Sequence, residues 1–417
     1  MESRGQRCRS AWVWLSHSPA DLVFNDISPL PAAPLSFLAG WTNLWRMLHV
    51  RQGKYHVVIH ELRKKYGPVV RICPNVLDLD IPELIKTIYN IKPEYLKMCS
   101  SHSVKDNGKI IHNVFSECNA KLHAQMKRPT SKYYSLTGVL PLESHIDDMI
   151  SYLYLGRGWD VVGKATFSQP IGYLEKGCDF DESLRIANVT MDYFPIVGQM
   201  PILDHLLDRN PIHRIGPPSF GTVANISTQH LMDRLQNKHT VYHNPNKPDF
   251  LDKFIEAKEK SPDVVDDTQI ISYLLLNMIV GADTTSVTIN AALYMSLKHP
   301  HVWERLRTEI PPLRPYLWKH GGILQIRQVV PLLRCRGTGI NDEMSSRCRH
   351  ASRAIRARGG SRSCIGKHFG LLEVYKMIAT LVSRYDIKLA HPERDWMTHN
   401  SFFMRQAGIE VNLSRQS

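Results

Sequence analysis

GGSRSCIGKH, residues 359–368, places a cysteine in a short basic loop with glycine on both sides. After Cys364 come Ile365, Phe369, Leu371, Leu372, Tyr375, Ile378, Leu381 and Val382, an apolar series with helical spacing. The cysteine therefore stands at the mouth of an amphipathic helix. The helix dipole, Arg362 before the thiol, and Lys367 and His368 after it all favour the thiolate. A thiolate so placed suits three uses: covalent nucleophile, redox sensor, or ligand to a soft metal centre. Gly360 and Gly366 favour the third, because residues without a Cβ let backbone approach a flat, bulky group. The plain alternative is a lone structural cysteine, and the glycine–arginine–cysteine–glycine setting weighs against it.

Working back along the chain, the best helix candidate runs from about Thr268 to Lys298, between the acidic DVVDD and His299-Pro300. Its 31 residues would span roughly 46 Å. IISYLLLNMIV is apolar on nearly all sides, which predicts a central, buried helix. Its middle then reads GADTTS, 281–286. Glycine costs about 1 kcal/mol in a helix interior, and a buried Asp283 costs desolvation unless it is paired. Threonine hydroxyls that bond the carbonyl four residues back bend a helix. A kink packed on another backbone would account for GADTTS. Asp283 beside Thr284 in a greasy helix also suggests a proton-handling pair lining a cavity.

The 417 residues allow one large domain or two ordinary ones. The net charge of +13 points first to nucleic acid or an anionic membrane surface. Its distribution changes that reading, because 10 Lys+Arg and only 2 Asp+Glu fall between Pro311 and Gly360. Those arginines lack interleaved aromatics or a nucleic-acid module, so no nucleic-acid partner is expected. Eight cysteines form no C-x-x-C pair, which argues against structural zinc and for a reducing, cytosol-facing setting. No stretch reaches the roughly 18–20 apolar residues of a membrane span. AWVWLSHSPADLVF, 11–24, is interrupted by His17, Pro19 and Asp21, so residues 1–28 carry no clear anchor.

Elsewhere an amphipathic helical stretch covers about 41–65, and VVRIC and VLDLD flank Pro74-Asn75 as a small β-hairpin. Asp80 with Pro82-Glu83 opens a helix. From about 115 to 310 the text is mostly helical, with loops at 156–158, 198–201, 210–218 and 244–249. DIKLA and GIEVNL read as strands near the end. The expected fold is mainly α with a minor β-sheet.

GGSRSCIGKHFG resembles the axial-ligand loop of the haem-thiolate monooxygenases, the cytochrome P-450 superfamily, in its pattern F-x-x-G-x-R-x-C-x-G. Gly360, Arg362, Cys364 and Gly366 match it. GADTTS resembles that family's oxygen-activating helix, and KYGPVVRICPNVLDLD looks like its first sheet. HAQMKR, 123–128, resembles the helix that holds the haem propionates. YLEKGCDFD, VGQMPILDHLL and HPERDWMTHNSFFMRQAGIEVNL are similar to fungal members near pisatin demethylase. The likeness covers roughly 29–310 and 359–413, and implies a single haem-binding domain over 29–413. It implies that Cys364 ligates the iron of haem b, that Arg362, His123 and Lys127 pair with the propionates, and that Asp283 and Thr284 steer protons to dioxygen. The implied reaction is insertion of one oxygen atom into a small apolar substrate. Electrons would come from NADPH through a cytochrome P-450 reductase, to a monomer on the cytosolic face of the endoplasmic reticulum membrane.

The chain also departs from that pattern. Ala357 stands at the motif's Phe, and Val280 where a small residue is usual. No E-x-x-R pair is found between Pro311 and the cysteine loop; Glu304 and Arg307 have the spacing but belong to WERLR, directly after the central helix. The interval from Thr284 to Cys364 is short, and 311–358 has no convincing period. The fold is therefore expected to be incomplete over 311–358, through a wrong frame or a misassigned intron, and the junction near 150–160 to be shortened. Two alternatives follow: a degenerate, catalytically dead haem-binding remnant, or a basic binding protein.

Overall fold

The computed structural model describes residues 42–310 and 360–415, less short stretches at 74–75, 91–94, 96, 98–103, 107–108, 112, 151–157, 209, 211, 219, 239–241 and 361. The segment 311–358, Ala357, residues 1–28 and most of the 150–160 junction lie outside the described residues. The described fold is mainly helical, with four two-stranded sheets among the described residues.

The central helix runs Asp267–Lys298, one residue earlier than the sequence suggests. Asp266 caps it by accepting from the Gln269 N–H at 2.7 Å. The helix is long and apolar enough to cross a membrane, but 56% of its most apolar window is buried. It is the pillar of the core. Its first half, with Ile270, Tyr273, Leu274 and Met278, packs against Phe250 and Phe254 of the helix Phe250–Lys260 and against Phe369. Its second half, with Ile289 and Leu293, joins Trp303 and Leu306 of the helix Pro300–Glu309 in a second cluster.

The cysteine helix, Lys367–Arg384, belongs to both clusters: Phe369 and Leu372 face the first, and Val374, Ile378 and Leu381 the second. Burying such side chains contributes about 1.5–3 kcal/mol each. Lys376, fully buried, reaches Glu143 at 2.8 Å and Asp147 at 2.5 Å on the helix Glu143–Ile150. This ion-pair set fixes the register of the cysteine helix. Removing both carboxylates would leave the buried Lys376 charge uncompensated.

The hairpin read at 69–79 is present as β1 (Val69–Cys73) and β2 (Val76–Leu79), antiparallel, and a second antiparallel pair joins β3 (Val104–Asp106) to β4 (Lys109–Ile111). The terminal strands are β5 (Tyr385–Leu389) and β8 (Val411–Arg415), also antiparallel. Between them a further hairpin, β6 (Met397–Asn400) with β7 (Met404–Ala407), stands against the central helix, where the Gln406 side chain donates to Val287 O at 3.4 Å. The helical stretch expected over about 41–65 consists of two helices, Leu44–Arg51 and Tyr55–Tyr66. Gly53 breaks it with φ +69°, and His399 of β6 occupies the space where a Cβ would point. The helix opened by Pro82 is a short 3₁₀ turn continued over Ile85–Ile88. Arg307 of WERLR bonds Asp386 of β5 at 2.8 Å, which joins this helix to the terminal sheet.

Candidate haem-thiolate site

Cys364 lies three residues before the first residue of the cysteine helix, exposed and free. Its loop is tied to the helix Ala120–Ser131, which Asn119 caps through the N–H groups of Lys121 and Leu122. Lys127 donates Nζ to Ser363 O at 2.9 Å. Arg362 donates to Glu117 O at 2.7 Å and Cys118 O at 3.1 Å, just before that helix begins. His123 is buried on the same helix. Burial, then the charges of Arg362, Lys127 and Lys97, push its imidazole down to about 4. Burial also lowers the Lys127 ammonium, and Arg362 adds to this while negative charge at Cys364 opposes it. His123, Lys127, Arg362 and Cys364 are thus brought together, although more than two hundred residues of sequence separate Lys127 from Ser363.

The two glycines of the loop have different reasons. Gly360 has φ +87°, and a Cβ there would fall 1.8 Å from Tyr89 O. It is required by the loop's own path. A Cβ on Gly366 would meet nothing within 4 Å, so the backbone two residues after the exposed thiol is uncrowded. An exposed cysteine with the donors Arg362, Lys127 and buried His123 gathered near it is a residue set whose chemistry fits a flat group carrying two carboxylates.

The central helix has a wide turn, Asn277–Gly281, that ends two residues before Asp283. Such turns mark places where a helix is locally opened. Thr284 Oγ1 donates to Val280 O at 2.8 Å and Ser286 Oγ to Ala282 O at 2.8 Å, the four-residue back-bonds expected of GADTTS. Asp283 is half-buried and accepts from the Trp159 indole N–H at 3.1 Å. Burial raises its carboxyl, while the Trp159 bond and the charge of Arg405 oppose the rise.

Two further groups link this helix to the cysteine side. The Tyr134 hydroxyl donates to Asn277 Oδ1 on the wide turn, and burial, with lesser contributions including Cys364, raises its phenol. Glu373, nine residues after the cysteine, is fully buried with neither carboxyl oxygen hydrogen-bonded. Burial pushes it up to about 8, and the Thr285 hydroxyl of the central helix opposes this. The sequence reading missed Trp159, Arg405, Asn277 and Glu373. A signal existed for Glu373, which sits four residues after Phe369 on the buried stripe. None existed for Trp159, whose role depends on which helices meet.

Comparison with known proteins gives the family of the chain. A family model described as cytochrome P-450 matches residues 158–314. Cytochrome P-450 monooxygenase cfoH of Aspergillus candidus is 35% identical over 480 residues, covering 93% of this chain and 89% of that protein. The chain belongs to the cytochrome P-450 family. Other similar members are cicH of Emericella nidulans, 28% identical over 466 residues, with 92% of this chain and 93% of that protein covered. A monooxygenase of Aspergillus terreus is 28% identical over 443 residues, with 85% and 89% covered. As a cytochrome P-450, the protein is a monooxygenase that uses haem iron and electrons from a reductase. The first alignment spans 480 residues whereas the chain has 417, so at least 63 positions of cfoH face gaps here. This cytochrome P-450 is therefore shorter internally than its relative.

Proposed function

We propose that this cytochrome P-450 inserts one oxygen atom from dioxygen into a small apolar organic substrate of fungal secondary metabolism or detoxification. The observation that carries the proposal is the convergence of Arg362, Lys127 and buried His123 on the open loop of Cys364. When bound, haem b supplies the iron that activates dioxygen, with electrons from NADPH through a cytochrome P-450 reductase. Cys364 would hold that iron, and Arg362 and Lys127 would neutralise the propionates. His123, held neutral by burial and then by its cationic neighbours, would donate a hydrogen bond to them. Thr284 has committed its hydroxyl proton to Val280 O, so its oxygen is left to accept hydrogen bonds. Asp283, half-buried and raised, would hold and release the proton.

The same reading takes 29–413 as one haem-binding domain near the pisatin demethylase group, with 311–358 foreign to it and 1–28 leading in. It places the monomer against the cytosolic face of the endoplasmic reticulum. Exposed Ile202, Leu206, Ile212 and Ile215 support membrane-surface contact. Asn43, which bonds Gln199 O at 2.6 Å, brings the start of the described chain beside them. The test is reconstitution with haem b, reductase and NADPH under ¹⁸O-labelled dioxygen, with a panel of apolar compounds. Label in a product supports the proposal. Haem uptake without NADPH-driven dioxygen consumption would instead identify a dead remnant, which the shortened interior favours.

A further inference from the structure

Asp283 lies where three elements meet: the central helix, the helix Gly158–Phe167 and the β6–β7 hairpin. The closest approach is between the two helices. A Cβ on Gly158 would fall 2.5 Å from Ser286 Oγ and 2.9 Å from Ala282 O, and one on Gly281 would meet Val162 at 3.6 Å. Glycines on both helices thus set Trp159 directly beside Asp283, and its indole donates to Oδ1 at 3.1 Å.

The indole itself is held on several sides. Trp159 is 4% exposed, and Tyr173 packs edge-on against it at 6.1 Å. Its neighbour Asp160 accepts from the N–H groups of Gly172, Tyr173 and Leu174, which anchors the start of the helix. Arg405 of β7, whose charge acts on Asp283, is hydrogen-bonded elsewhere. It donates to Asn188 at 2.9 Å, to Asp192, and to Ser401 at 3.4 Å. His399 of β6 also lies 3.4 Å from Asp192. Burial pushes the Asp192 carboxyl up, but Arg405, Ser401 and His399 outweigh it and hold it low.

The chemistry of the donor decides what such a contact does. A guanidinium hydrogen-bonded to Asp283 would fix it as an anion. An indole N–H is neutral, only donates and never takes up a proton. We propose that Trp159 is the positioning residue for Asp283: its indole N–H fixes Oδ1 and leaves Oδ2 to exchange protons. Among the described residues Oδ2 has no hydrogen-bond partner, so one oxygen orients the group and the other is available. This rests on Asp283 being the proton donor of the proposed monooxygenase.

The test uses the full chain labelled with 5-fluorotryptophan and followed by ¹⁹F NMR between pH 4 and 8. The resonance lost in Trp159→Phe is that of Trp159; if that variant fails to fold, Trp159→Tyr serves the same assignment. The resonance should shift with pH in the parent chain, with a midpoint above the ordinary carboxylate range, and stand still in Asp283→Asn. A resonance that does not move, or that moves equally in Asp283→Asn through His399 or Asp192, overturns the proposal. In the haem-loaded chain with reductase, the pH midpoint of NADPH oxidation should rise in Trp159→Phe and return in Trp159→Gln, which restores an N–H donor. Equal midpoints in all three chains also overturn it. If the parent takes up no haem, the monooxygenase reading fails, while the NMR result still decides whether Trp159 holds Asp283.

Discussion

Glu373→Gln should make the chain more stable at neutral pH, and the gain should grow with pH. Glu373 is fully buried, neither carboxyl oxygen is hydrogen-bonded, and burial raises it from 4.5 to about 8. The folded state therefore keeps a proton that the unfolded chain releases above its ordinary value. The stability this group contributes is fully present below about pH 4.5 and is lost as pH rises towards 8. At about 1.4 kcal/mol per pH step, the loss between pH 5 and pH 7 is roughly 2–3 kcal/mol, and about 5 kcal/mol in all. Urea unfolding of parent and Glu373→Gln chains, followed by circular dichroism from pH 5 to 8.5, measures it as a difference curve. Other titrating groups cancel in that difference. A flat curve would refute the reasoning, because it would mean that Glu373 is either hydrated or paired in the folded protein.

Four other outcomes follow from the same structure. His123, lowered to about 4, contributes stability that is present above pH 6.5 and lost as pH falls towards 4. In the haem-free chain His123→Gln should remove that acid sensitivity, worth at most about 3 kcal/mol in urea titrations. Gly158→Ala should cost about 1–3 kcal/mol through contact with Ala282 O and Ser286, and unchanged stability would show that the two helices can part freely. Arg307→Ala should cost up to about 1 kcal/mol, since its Asp386 partner is one-third exposed. Glu304→Ala should change stability by less than about 0.5 kcal/mol; equal losses in the two variants would mean that WERLR is the missing E-x-x-R pair after all.

Much of this architecture is legible in the sequence because it is local. The apolar series after Cys364 gives the cysteine helix, and the greasy run before GADTTS gives the central one. Pro74-Asn75 marks the first hairpin. What is not legible depends on long-range meeting of elements. The β6–β7 hairpin carries MTHN and MRQA, polar four-residue strands without alternation, and pairing alone defines them. Gly360 looks like room for a ligand, yet its necessity comes from Tyr89, far away in sequence. Asp283 and Thr284 could be singled out by type, but Trp159 could not, because nothing in GRGWD states which helix it will face. His123 and Lys127 needed the family pattern to be found at all.

The carbon monoxide difference spectrum of the reduced, haem-loaded chain, taken with and without Cys364→Ala, tests the central claim most directly. The parent should show the strongly red-shifted Soret band of thiolate-ligated haem, and Cys364→Ala should lose that band. A histidine-type band in the parent, or a red-shifted band that survives in Cys364→Ala, would contradict the assignment of Cys364 as the iron ligand.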